Sequence, residues 1–83
     1  MAYRSREEIF ASILSTAGSG AATTRSKIMF GSYLTYAQVV EYTKMLIQRG
    51  LLEYDAINRT FKTTSSGFTY IQLHNEISQM IKI

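Results

Sequence analysis

Between Gly50 and Thr64 the apolar period of this chain falls from the helical 3.6 to the strand value of 2, and on both sides of that window it is helical. Leu51-Leu52-Glu53-Tyr54-Asp55 and Thr60-Phe61-Lys62-Thr63-Thr64 therefore read as two short strands. Ala56 to Arg59 makes the tip, with Asn58 the expected residue at positive φ. One hairpin is the only sheet this reading provides, and helices must supply the rest of the core.

Helix one is expected over Arg6 to Ala17. Ser5 and Glu8 make a capping box, and Ile9, Phe10, Ile13, Leu14 and Ala17 share a face. Gly18 is expected to end it as a left-handed cap. Gly18 to Thr23 reads as a small-residue loop. Helix two follows from about Thr24 to Ser32, with Ile28, Met29 and Phe30 as its apolar residues. Gly31 to Leu34 is a short turn whose Leu34 is buried. Helix three starts at Thr35, capped with Gln38, and ends at Gly50. Its inner stripe is Val39, Tyr42, Thr43, Leu46 and Ile47; Tyr36, Gln38, Glu41, Lys44, Met45 and Gln48 point away. Thr64 caps a last helix running to about Lys82. Phe68 and Ile71 should face the core, while Tyr70, Leu73, Ile77 and Met80, spaced 3, 4 and 3, trace a coiled-coil seam.

Composition narrows the function classes. An 83-residue chain has room for one domain with a small core, and a lack of cysteine removes disulfides and thiolate metal sites. Small domains of this kind often gain stability by oligomerising. No apolar run approaches the ~20 residues of a membrane span, and the polar start, Met1 to Glu8, shows no signal peptide, so a soluble cytoplasmic protein is expected. Catalysis has little support: there is one histidine, His74, and no clustered acid pair. Glu7-Glu8 fits a helix first turn, and Gly18-Ser19-Gly20 lacks the ending of a phosphate loop. No enzyme activity, cofactor, metal or small-molecule ligand is expected. The net charge of +3 suits a polyanionic partner.

The order helix, helix, turn, helix, hairpin, helix is that of a helix-turn-helix followed by a wing, in a mainly α (α+β) fold. Particular strings sharpen the reading: Ser26-Lys27-Ile28-Met29-Phe30, Leu34-Thr35-Tyr36-Ala37-Gln38-Val39, Glu41-Tyr42, and Gly50-Leu51-Leu52-Glu53-Tyr54, then Phe61, Thr64 and Gly67 at a Y-x-x-T-x-x-G spacing. With these the chain resembles the archaeal winged helix-turn-helix family that includes the ten-kilodalton "a" chromosomal proteins of Sulfolobus and ArnR-like regulators. The resemblance covers roughly Ile9 to Ile71. It implies a dimer whose C-terminal helices pair as an antiparallel coiled coil, bound to double-stranded DNA. The chain departs from the family at Lys27, where arginine is usual, at Val40, where a charged residue is common, and at Thr43, in place of a core leucine.

On this reading residues 1–67 bind DNA and residues 68–83 dimerise, within one structural unit. Phosphate contacts are expected from Arg25 and Lys27 on helix two, Lys44 and Arg49 on helix three, and Arg59 and Lys62 on the wing, with Arg4 and Arg6 in reach. Thr35 begins helix three, whose free N–H groups and dipole favour phosphate. Tyr36, Gln38 and Glu41 are the candidate base readers. Gln38 serves equally well as half of a capping box, Tyr36 as an ordinary exposed aromatic, and Tyr42 as core edge. The homodimer seam is Tyr70, Leu73, Ile77 and Met80; packing against helix one is the competing role for that stripe. A promoter-specific regulator, a nucleoid-associated architectural protein with little sequence preference, and a protein-interaction module all remain compatible with these residues.

Overall fold

A computed structural model describes residues 4–81. The expected Lys82 end of the last helix lies outside them. The elements are α1 (Arg6–Ala17), β1 (Thr23–Thr24), α2 (Arg25–Gly31), α3 (Tyr36–Gln48), β2 (Leu52–Asp55), β3 (Thr60–Thr63) and α4 (Ser65–Ile81). Both capping boxes form: the Ser5 hydroxyl accepts from the Glu8 N–H and the Thr35 hydroxyl from the Gln38 N–H, while each N3 side chain accepts the cap residue's own N–H. Thr64 Oγ1 accepts from the Gly67 N–H at 3.0 Å, as expected of the residue before α4, and donates to the Gly50 carbonyl at 2.7 Å.

Ile13, Leu14, Ile28, Val39, Leu46, Leu52 and Phe61 form the centre of the core, drawn from three helices and both strands of the hairpin. Each such side chain contributes about 1.5–3 kcal/mol by leaving water. Phe61 and Thr63 point inward from β3, and Thr63 Oγ1 donates to the Leu14 carbonyl at 2.7 Å. Thr43, although polar, is also buried, and it donates to the Val39 carbonyl one helical turn back. That bond lets a threonine occupy an inward position.

Several expectations need correction. β1 takes the last residue read as loop, Thr23, and the first read as helix two, Thr24, and pairs antiparallel with β3 (Thr23 with Phe61, Thr24 with Thr60), so the sheet order is β1-β3-β2. Gly18 has φ −100° and is no left-handed cap. A Cβ there would stand 2.7 Å from the far edge of the Phe68 ring, which is half exposed. The positive φ of the hairpin tip belongs to Arg59, at 55°, and not to Asn58. Asn58 is held instead by Asp55, whose carboxylate accepts from the Asn58 and Ile57 backbone and the Asn58 amide. Phe30 is 73% exposed and leaves α2 with Ile28 and Met29 as its inner residues. On α3, Met45 packs against the core although expected outside, and Ile47 sits at the rim although expected inside.

On α4 the two stripes are less separate than the spacing implies. Phe68 lies over Gly18 yet remains half exposed. Tyr70 packs within the chain, onto α1: its ring meets Phe10 edge-on at 6.5 Å and its hydroxyl donates to the Glu7 carbonyl. Burial, and then the nearby Glu7 carboxylate, push the Tyr70 phenol above its ordinary pKa against a smaller opposing pull from Arg49. Leu73, Ile77 and Met80 are exposed at 53%, 56% and 81%. No helix among the described residues is long and apolar enough to cross a membrane, and these residues hold no group of three or more His, Cys, Asp or Glu placed for a metal.

Candidate nucleic-acid interface

The interface is built on α2, the turn Ser32–Thr35, and α3. Ser32 N–H donates to the Ile28 carbonyl and Leu34 N–H to the Met29 carbonyl, which folds the chain back so that Leu34 plugs the core. Tyr33 carries φ 55° at the reversal, a left-handed conformation that is uncommon for an aromatic residue. The Arg4 guanidinium donates to the Ser32 and Tyr33 carbonyls at 2.6 and 3.3 Å. Arg4, expected to reach phosphates, instead secures the turn.

Burial on α3 defines what faces out. Val39, Thr43 and Leu46 are buried, and the opposite stripe Ala37, Glu41, Lys44 and Gln48 is exposed along its length. Of these, Ala37 and Gln48 were not among the expected contact residues; the inward triad, once fixed, identifies them by helical period alone. Gln38 is exposed, but its Oε1 accepts the Thr35 N–H at 2.9 Å. A bidentate pair with adenine needs that oxygen, so Gln38 reads a base in this way only by opening the capping box. Thr35 is likewise occupied, its hydroxyl capping the helix it starts. Tyr42 stays at the core edge, its ring 5.8 Å from Phe10 in a T-shaped pair.

The cations fall into distinct places. Arg25 begins α2 directly after β1 and lies between α3 and the hairpin, its guanidinium 6.0 Å from the Tyr36 ring centroid and 5.6 Å from that of Phe61. Arg25 and Lys44 line one cleft with Val40, Ile47, Tyr54 and Phe61. Lys27 is exposed in the first turn of α2, and Arg59 is exposed at the wing tip. Lys62 pairs across the ladder with Glu53, on the sheet face opposite Phe61 and Tyr54. Arg49 stands over the Phe10 ring at 5.7 Å, on the α1 side of the core. The structure thus brings Arg25 and Lys44 together beside the outward stripe of α3, and it sends Lys62 and Arg49 elsewhere.

Three helices, a tight turn between the second and third, and a three-stranded sheet with its hairpin after the third helix make up this arrangement. A family model described as a winged helix-turn-helix matches residues 3–82. The chain belongs to the winged helix-turn-helix family. No characterised protein matches its sequence significantly. In winged helix-turn-helix terms α3 is the recognition helix, β2 and β3 form the wing, and Thr24 both ends β1 and caps α2 through its hydroxyl.

Proposed function

We propose that this winged helix-turn-helix protein binds double-stranded DNA as a homodimer, with α3 in the major groove and the wing tip over the adjoining minor groove. The observation that carries the reading is the exposed α3 stripe Ala37, Glu41, Lys44 and Gln48, with Arg25 and Lys44 on its wing side and Arg59 at the hairpin tip. Lys and Arg side chains gain affinity by releasing counterions from phosphates. Ala37 suits a thymine methyl and Glu41 a cytosine amino group, so some base preference is expected from a helix of low net charge. That balance favours a transcriptional regulator over an architectural chromosomal protein.

Dimerisation is supported by the second half of α4. Leu73, Ile77 and Met80 are exposed along one side, and a trough lined by Glu7, Tyr70, Leu73, His74 and Ile77 adjoins them. An amphipathic helix with an unpaired apolar stripe is completed by another helix, and the α4 of a second copy supplies one with the same spacing. Tyr70 then serves two sides, holding α1 of its own protomer and closing one end of the seam.

A salt titration of duplex binding, read by fluorescence anisotropy, tests the reading. Affinity should fall steeply with salt, and Lys44→Ala and Arg59→Ala should each reduce the slope by about one. Lys62→Ala should reduce it less. Affinity that holds constant from low to moderate salt would remove the DNA assignment. Competition between random and selected duplexes separates the two roles: a preference under about tenfold would point to the architectural one, because dedicated regulators usually exceed ~10³.

A further inference from the structure

The cleft between α3 and the wing has a chemistry that duplex binding does not need. It is a cleft open to solvent with a volume of about 220 Å³, below the ~300–1,000 Å³ that accommodates drug-sized ligands and of a size for one ring. Val40, Ile47 and Tyr54 give it apolar walls over a floor of Phe61 and Thr43. Arg25 and Lys44 also line it, and no carboxylate does. The Arg25 Nε–H is buried and has no hydrogen-bond acceptor in the protein. The guanidinium is therefore held by ring contacts to Tyr36 and Phe61 and not by a carboxylate, and its charge has no counter-ion in the cleft. Inorganic phosphate would satisfy the cations but leave Val40, Ile47 and Tyr54 facing water. A neutral ring would do the reverse. A molecule joining a ring to an anion answers both kinds of lining residue.

We infer that this cleft binds a small aromatic carboxylate, its ring against Val40, Ile47 and Tyr54 and its carboxylate accepting from Arg25 and Lys44. Valine at position 40 is central to the site. It lies one turn before Lys44 on the wing-facing flank of α3, where a carboxylate side chain would occupy the anion's place. Occupancy neutralises two cations beside the recognition helix, so ligand and duplex compete. This second consequence rests on the DNA reading above; the binding itself does not.

Benzoate is the probe, followed on the full chain by amide NMR with sodium chloride at matched ionic strength as control. Saturable shifts should be confined to α3 from Val40 to Ile47, to Tyr54 and Phe61, and to the start of α2. Benzyl alcohol and acetate, each lacking one half of the ligand, should bind at least about tenfold more weakly. Val40→Glu should abolish benzoate binding, and Lys44→Gln, on an exposed side chain, should weaken it severalfold while the amide spectrum otherwise stays that of the folded protein. Shifts scattered over the surface, linear with concentration, or indifferent to both variants would overturn the proposal. In a parallel titration benzoate should release a labelled duplex from the parent protein. Saturable binding by a protein that ignores DNA would sink the nucleic-acid reading and leave the ligand site standing. Duplex binding without saturable benzoate shifts would do the opposite.

Discussion

Thr63 and Leu14 stand 49 residues apart in the chain, and the hydroxyl of the first donates to the carbonyl of the second at 2.7 Å in a buried setting. The bond fastens the inner strand of the wing to the end of α1. The same carbonyl also accepts the Gly18 N–H, so one oxygen joins the helix terminus and the sheet. Thr63→Val keeps the shape and deletes only the donor. It should cost about 0.5–1.5 kcal/mol, while Thr63→Ser, which keeps the bond and loses the methyl, costs through packing instead. Chemical denaturation of both variants checks this; a Val variant as stable as the parent would show that the bond contributes nothing.

Gly67, in the first turn of α4, and Gly18, which faces that helix, should respond differently to alanine. At Gly67 an added Cβ would strike the Leu51 carbonyl oxygen and stand 2.5 Å from the Thr63 methyl, and backbone on that side has nowhere to go. Overpacking of this kind costs about 1–3 kcal/mol or more. At Gly18 the obstacle is the Phe68 ring, half exposed and free to rotate outward. Gly67→Ala should therefore lower the melting temperature by several degrees more than Gly18→Ala, as scanning calorimetry will measure.

Much of this arrangement can be read directly from the chain, and what cannot has physical reasons. Capping boxes are local: Ser5 with Glu8 and Thr35 with Gln38 declare themselves three residues apart. The core stripe of α1 is equally plain, because Ile9, Phe10, Ile13, Leu14 and Ala17 are all buried where helical period puts them. β1 is hidden because two threonines have no period; their partners, Phe61 and Thr60, lie far along the sequence. Asn58 is the usual residue for a left-handed turn, but Asp55 captures it, and the strain passes to Arg59. Among the candidate contacts, periodicity alone places Glu41 and Lys44 on the open stripe. It cannot reveal that Lys62 faces Glu53 across the ladder, that Arg49 covers Phe10, or that Arg4 is taken up by the turn, since each depends on tertiary neighbours.

The proposed dimer seam on α4 can be tested without disturbing the fold of the single chain. Leu73 and Ile77 are more than half exposed, so replacing either with lysine should leave its fold within about 0.5 kcal/mol of the parent. Sedimentation should then show a monomer, and duplex affinity should drop by more than tenfold as the gain from linked sites is lost. A variant that still sediments as a dimer would mean the copies meet through another surface.

The wing tip should loosen in acid. The Asn58 side-chain amide above all, then the Asn58 and Ile57 backbone N–H groups, hold the Asp55 carboxyl below its ordinary pKa. A lowered folded value means that the associated stability is present above the unfolded value and lost as pH falls through the folded one. Asn58→Ala removes the largest cause, so NMR titration should find the Asp55 carboxyl moved back toward its ordinary value. The backbone amides at positions 57 and 58 should lose their turn-like shifts at higher pH than in the parent. An unmoved carboxyl titration would show that the amide does not set it.

Thr24 closes a strand on one side and launches a helix on the other. Through it the wing is spliced to α2 by a single residue, and Arg25 is the next one along. A hairpin pushed aside by a groove wall would drag that helix start with it, and with it a cation stacked on Tyr36 at the head of α3. On the proposed reading the wing and α3 would therefore meet a duplex as one stamp rather than as two independent fingers, and misfit at the tip would be passed on to α3.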